Sequence, residues 1–189
     1  MSQDYSEFER ARDEVSRSSA GGAPFLIAYG VTFLLTGVLS FFISLETAAL
    51  IAMFQGVVAL PVAFWLERRM GSQRMSSENP LRTLSAQMAV SQALGIPALI
   101  IVYNLNPQYV PAVLAGFGGA HFLPYAWLHR TRLYLFMGTL VALGAFLVLF
   151  FLDAYVFQVT LLFIGVVYAI SAPLVYRHAK AIVTMPGSA

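Results

Sequence analysis

The chain contains no cysteine, which excludes disulfides, thiolate metal centres and a cysteine nucleophile. Charge is nearly as scarce. Charged side chains make up 11% of the 189 residues, under half the roughly 25% of soluble domains. No span-length apolar stretch holds a pair of acidic residues, because Glu46 and Asp153 fall at predicted turns. No Gly-x-Ser-x-Gly elbow, phosphate loop or zinc-helix motif is present,. No catalytic residue is therefore assigned, and an enzyme is the less favoured class. The formal net charge of +2 is too small to suggest nucleic acid as a partner. His121 is the one histidine inside a predicted span, since His129 and His178 stand in basic clusters. Bis-histidine haem ligation thus lacks its second ligand, and one histidine with two glutamines is too little for a metal. No cofactor is expected.

What is abundant is apolar. The hydrophobic fraction is 59%, above the roughly 45–50% of soluble domains, and a bilayer can accept surface that a core of this size cannot bury. Six stretches reach the about 20 residues that a crossing needs: Ala23–Ile43, Thr47–Leu66, Thr83–Tyr103, Pro107–Leu128, Leu133–Leu152 and Tyr155–Tyr176. All eleven Lys and Arg residues fall between or outside pairs of these stretches. They are Arg10, Arg12 and Arg17; Arg68, Arg69, Arg74 and Arg82; Arg130 and Arg132; Arg177 and Lys180. The turns at Ser44–Glu46, Asn104–Asn106 and Asp153 carry none. Basic connections stay on the side of insertion, so the expected fold is an all-α polytopic membrane protein, six transmembrane helices in three antiparallel hairpins, both termini cytoplasmic. Trp65, Trp127, Tyr134 and Tyr176 beside the basic clusters, with Tyr103 and Tyr155 near the opposite turns, fit an aromatic belt,.

The expected organisation is a cytoplasmic N-terminal segment over 1–22, a transmembrane domain over 23–178 and a cytoplasmic tail over 179–189. Mixed charge in the first twenty residues argues against a cleavable signal peptide,. Tyr5, Phe8, Ala11 and Val15 recur near helical spacing among charged residues, so this segment is either an amphipathic helix at the inner surface or a solvated tail.

The even-numbered spans share a pattern. Phe54-Gln55-Gly56-Val57-Val58 parallels Phe163-Ile164-Gly165-Val166-Val167, and Phe117-Gly118-Gly119 takes the same place in the fourth span. Twelve residues beyond Gly56, Gly118 and Gly165 stand Arg68, Arg130 and Arg177, and each span carries a proline in its second half: Pro61, Pro124 and Pro173. Either the hairpins are duplicates or each such helix needs a small residue at mid-depth and a basic anchor. Gly56, Gly116, Gly118, Gly119 and Gly165 are expected to pack helices, because small residues let backbones approach in lipid.

Polar side chains at membrane depth need a reason. At 1.5 Å per residue, Gln55 lies ~18–20 Å from Arg68, Gln92 ~15 Å from Arg82 and His121 ~14 Å from Arg130. Ser91, Tyr168, Thr32 and Thr36 have comparable depth, and Gln87 continues the stripe of Gln92 inward. Gln55, Gln87, Ser91, Gln92, His121 and Tyr168 thus form a candidate polar layer or pathway. Pro124, Tyr125 and Trp127 form a candidate inner gate beside it. The bland alternative is a set of interhelical hydrogen bonds worth roughly 0.6 kcal/mol each.

The run Asn79-Pro80-Leu81-Arg82, the stretch Gln87 to Gln92, and Ala120-His121-Phe122-Leu123-Pro124-Tyr125-Ala126-Trp127-Leu128-His129-Arg130 together resemble a family of small bacterial multi-pass membrane proteins. That family is grouped only as a domain of unknown function. The resemblance implies six helices in a bacterial inner membrane and supplies no activity. Three short hairpins also resemble, more loosely, the acid-resistance membrane proteins of enteric bacteria, without residue-level correspondence.

The expected function is to bind or conduct a small solute or ion through the polar layer, with the lipid bilayer as environment and a homo-oligomer among the expected partners. The alternative is a non-catalytic structural or stress-response membrane protein whose polar layer only packs helices.

Overall fold

A computed structural model describes residues 2–71 and 73–183 and shows an all-α protein, with no strand among the described residues. Among the described residues nine α-helices follow one another: α1 Ser2–Ser18, α2 Ala23–Leu39, α3 Leu45–Phe54, α4 Gly56–Met70, α5 Arg82–Ser91, α6 Ile96–Leu105, α7 Val110–Leu128, α8 Leu133–Phe151 and α9 Val156–Val183. Among the described residues, four stretches are long and apolar enough to cross a membrane: Ala20–Leu39, Leu45–Met70, Leu133–Phe151 and Val156–Ile182. The tail expected from residue 179 begins as the last turn of α9, and residues 184–189 lie outside the described ones.

Two of the expected continuous spans are broken. The second divides at Gln55 into α3 and α4, and the third divides at a 3-10 turn, Gln92–Gly95, into α5 and α6. A proline follows each break within two turns. A proline ring clashes with the carbonyl four residues earlier and offers no N–H, and Pro61 and Pro97 stand six and five residues after Gln55 and Gln92. At the first joint, the Val58 and Ala59 amides both donate to the Gln55 carbonyl, at 3.1 and 2.8 Å. Pro97 is accommodated in the opening turn of α6. Pro124 and Pro173 instead lie inside unbroken α7 and α9.

The interior is built from small residues and the periphery from large ones. Ala48, Ala49, Ala59, Ala63 and Ala145 are fully buried, whereas Phe42, Val57, Phe136, Phe150 and Phe151 are at least 70% exposed. Exposed apolar area of this extent marks a surface that water does not cover. Close backbone approach holds two helix pairs. A Cβ added at Gly119 would stand 2.5 Å from the Gly138 carbonyl oxygen, and one at Gly138 would stand 2.6 Å from that of Gly119. These glycines let α7 lie against α8. Between α2 and α9, Gly165 receives Leu34, and Gly37 receives Leu162.

The connections gather at two ends. At one end α1 meets the 71–82 connection, where Asn79 Nδ2 donates to the Ala11 carbonyl at 3.0 Å and to Glu14 Oε2 at 2.7 Å. The same helix meets the end of α7, where Arg130 pairs with Glu9 at 2.7 Å and with Asp13 at 3.2 Å. At the other end Gln158 Nε2 donates to the Ser40 carbonyl at 3.3 Å, and Phe41 packs on Tyr155. The apolar stripe of α1 is turned to protein: Ala11 and Val15 are buried with Leu81, Met88 and Leu128.

Candidate functional site

The joint between α5 and α6 faces the middle of α7 and leaves a groove of about 380 Å³ between them. Ser91, Gln92 and His121 supply its polar groups, and Met88, Leu94, Phe117 and Pro124 supply much of its apolar wall. Ser91 Oγ donates to the Met88 carbonyl at 2.7 Å and stands 3.5 Å from His121 Nδ1. The His121 ring lies edge-on to Tyr125, with centroids 5.0 Å apart. This groove joins three of the expected layer residues.

The others are elsewhere. Gln87 is exposed on α5. Gln55 is buried at the α3–α4 joint, with its Oε1 unpartnered. Tyr168 is buried in the helix core between Phe33 and Phe122, at centroid distances of 5.7 and 5.4 Å. Its hydroxyl is the atom that a Cβ at Gly118 would meet, at 3.1 Å. Thr36 is buried, and Thr32 donates to the Tyr29 carbonyl within its own helix. The expected layer is thus divided between an open groove and packed interior.

The candidate gate residues also separate. Pro124 stands on the groove wall. Tyr125 lies between the groove and the interior. Trp127 turns the other way, 5.7 Å from Phe8 and beneath the Arg12 guanidinium at 4.7 Å. Of the candidate packing glycines, Gly56 approaches the Tyr29 hydroxyl, Gly119 contacts α8 and Gly165 contacts α2. Gly116 faces open space, with nothing within 4 Å of an added Cβ among the described residues.

Sequence reading placed His129 among the topological charges, and the structure buries it. It is 2% exposed at the end of α7, its ring stacked on Tyr125 (5.7 Å, 8°) and on Tyr134 (5.4 Å, 29°). Ser16 Oγ of α1 lies 3.0 Å from His129 Nδ1. His178 Nε2 donates to the His129 carbonyl at 3.0 Å, which fixes the proton on that nitrogen. The Tyr134 hydroxyl donates to the Gly21 carbonyl. Gly21 and Gly22 both have positive φ, 65° and 81°, a conformation that glycine adopts without a Cβ penalty. The chain thereby turns tightly from α1 into α2 over the Tyr134 hydroxyl.

α7 ends here in a Schellman turn. Arg130 N–H donates to the Trp127 carbonyl and Thr131 N–H to the Ala126 carbonyl, with Arg130 at φ 52°. The Arg12 side chain also donates to the Trp127 carbonyl. A cation at a helix C-terminus is favourable because the last carbonyls carry partial negative charge. Burial first, then the His178 and Arg12 charges, lowers the His129 pKa to about 3, so the ring is neutral at physiological pH. A signal for this site was present in Ser16 beside the apolar stripe and in Tyr125 one helical turn before His129. Its meaning depended on α1 docking there.

No group of three or more His, Cys, Asp or Glu side chains converges in metal-holding geometry among the described residues. No curated protein and no solved structure matches the chain. A family model does match, over residues 8–178, nearly the whole chain. Its description is a family of unknown function, DUF7010, and the chain belongs to that family.

Proposed function

We propose that this is an integral protein of a bacterial inner membrane, crossing it six times with both termini cytoplasmic. In this reading it binds a small neutral solute in the groove between the α5–α6 joint and α7. Six crossings are supported by the gathering of α1, the 71–82 connection, Arg130 and His178 at one end, with the basic residues. They are supported also by the 19 residues of α7, a length of ~28 Å against a hydrocarbon core of ~30 Å. The observation that carries the binding reading is the convergence of Ser91, Gln92 and His121 on one open cavity of about 380 Å³. Binding is favoured over conduction because Gln55 and Tyr168, which a path would need, are buried in packed interior. The structural alternative draws its support from the same two residues.

The test is photolabelling of the protein in phosphatidylcholine vesicles with a diazirine derivative of octanol, the modified residues being located by mass spectrometry. Labels are expected on Leu94, Phe117 and Ala120, and their loss is expected in the Ser91→Ala/His121→Ala variant. Labelling that ignores this substitution, with thermal stability lowered instead, would transfer the case to the structural alternative.

A further inference from the structure

The groove is lined by residues 88–95 and 117–124, between the two ends of the bundle. Its surroundings are apolar and face outward: Leu94 is 81% exposed, Val90 65% and Leu123 47%. In a membrane such a surface meets lipid, so an occupant reaches the groove from within the bilayer. Beyond His121, α7 carries a strip of small residues. Ala112, Gly116 and Ala120 recur every four residues and so share one helix face, and the space above Gly116 is empty. The strip from His121 to Ala112 is ~14 Å long.

Depth selects the chemistry of the head. His121 lies ~14 Å from Arg130 along the helix, well inside the hydrocarbon, where a charged group is expensive. The polar groups offered are neutral and serve both roles. Ser91 has already given its proton to the Met88 carbonyl, which leaves its oxygen to accept. The Gln92 amide offers both donors and an acceptor. Left facing lipid, the Gln92 amide and the accepting side of Ser91 lack partners, and a bound hydrogen-bonding head removes that cost,.

We propose that the groove takes a neutral lipid-soluble amphiphile, its carbonyl or hydroxyl held by Ser91, Gln92 and His121 and its apolar tail lying over Ala112, Gly116 and Ala120. Prenyl quinones, long-chain alcohols and diacylglycerols share this chemistry. The inference rests on the binding reading above and adds the class of ligand and its direction.

Chain length and head charge are the variables to test. Diazirine derivatives of hexadecanol and octanol are compared at equal mole fraction in phosphatidylcholine vesicles, with decyl-benzoquinone, dioleoylglycerol and palmitate as competitors. Hexadecanol is expected to label the Ala112–Ala120 strip severalfold more efficiently than octanol, because its longer tail spans the ~14 Å strip and gains packing contacts along it. Decyl-benzoquinone and dioleoylglycerol are expected to compete, separating the sources by strength, and palmitate is expected to compete poorly. Gly116→Leu, whose side chain enters empty space, is expected to abolish the advantage of hexadecanol while leaving thermal stability intact. If octanol labels the groove but hexadecanol gains nothing, or Gly116→Leu changes nothing, the ligand class is wrong and the binding reading stands. If neither probe labels the groove, both fail. Equal competition by palmitate overturns the neutral head, and cross-linking of two copies through the strip overturns the tail site.

Discussion

His121 and His129 are eight residues apart on one helix, ~12 Å along its axis, and they live in opposite environments. His121 looks into an open groove, with Ser91 at the 3.5 Å limit of hydrogen bonding as its nearest polar partner. His129 is enclosed by four elements: Ser16 from α1, Tyr125 from α7, Tyr134 from α8 and His178 from α9. Tyr125 is the wall between them, its ring 5.0 Å from one imidazole and 5.7 Å from the other. The same side-chain type therefore lines an open groove at one site and holds helices together at the other. What separates the two is how many helices converge, not the residue. Depth in the sequence, the cue used to single out His121, is blind to that.

The largest test of this contrast is truncation. His129→Ala removes a ring packed on two aromatics and leaves Ser16 without its partner. Large-to-small changes of this size cost about 3–5 kcal/mol in well-packed interiors. His121→Ala removes a ring from a cavity wall and is expected to cost under about 1 kcal/mol. Reversible unfolding in mixed micelles measures both, and equal losses would erase the distinction.

Acid is the next lever. The His129 pKa is about 3 in the folded protein against about 6.5 unfolded. The unfolded chain therefore takes up a proton first as pH falls, and stability decreases from about pH 6.5 downward, toward pH 3. The slope approaches about 1.4 kcal/mol per pH unit for one proton. The charged groups facing the ring or its neighbours are Arg12, Arg130, Glu9 and Asp13 on one side and His178 on the other. Comparison of wild type with His129→Asn between pH 6.5 and 5 isolates the histidine, and an unchanged slope would remove it as the cause.

Much of the scaffold could be read from composition and spacing, because long apolar runs and one-sided basic residues are local properties. The stretches that became α2, α8 and α9 needed no tertiary information. The joints at Gln55 and Gln92 were harder. Pro61 and Pro97 announce disruption, but Pro124 and Pro173 carry the same signal inside intact helices. Tight packing of Gly119 on Gly138 and of Gly165 on Leu34 accompanies the intact pair. For the groove, depth grouped Ser91, Gln92 and His121, which line one cavity, with Gln55 and Tyr168, which do not. Depth is one coordinate, and azimuth around each helix was not available. The His129 site was lost for a related reason. It requires Asn79, Glu14 and Ala11 to meet across more than sixty residues, and no periodicity records such a meeting.

A smaller effect separates backbone from charge at the seam. Arg130 occupies the left-handed position of the Schellman turn at φ 52°, where a side chain costs roughly 1 kcal/mol relative to glycine. Its guanidinium pairs with Glu9 and Asp13 while 43% exposed, and exposed pairs contribute only ~0–1 kcal/mol. Arg130→Ala loses the pairs and keeps the backbone cost. Arg130→Gly loses the pairs and relieves it. Arg130→Gly is therefore expected to be the more stable variant by about 1 kcal/mol, close to wild type. The reverse order would mean that the left-handed backbone at position 130 carries no cost for glycine to relieve.

The smallest effect bears most directly on function. If the groove residues existed only to hold helices together, Ser91 and His121 would be energetically coupled. Interhelical hydrogen bonds in membranes average roughly 0.6 kcal/mol and reach about 1.7 kcal/mol. Their geometry argues otherwise: Ser91 satisfies its proton within α5 at 2.7 Å, and the gap to His121 is 3.5 Å. A double-mutant cycle of Ser91→Ala and His121→Ala, read as unfolding free energy, is expected to give coupling within about 0.3–0.5 kcal/mol of zero, the range of independent sites. The Ser16→Ala and His129→Asn pair, at 3.0 Å and buried, supplies the internal standard and is expected to couple by about 1 kcal/mol. Coupling at the groove equal to that standard would make both histidines structural. Coupling at the core alone leaves the groove free to be filled by something other than this protein.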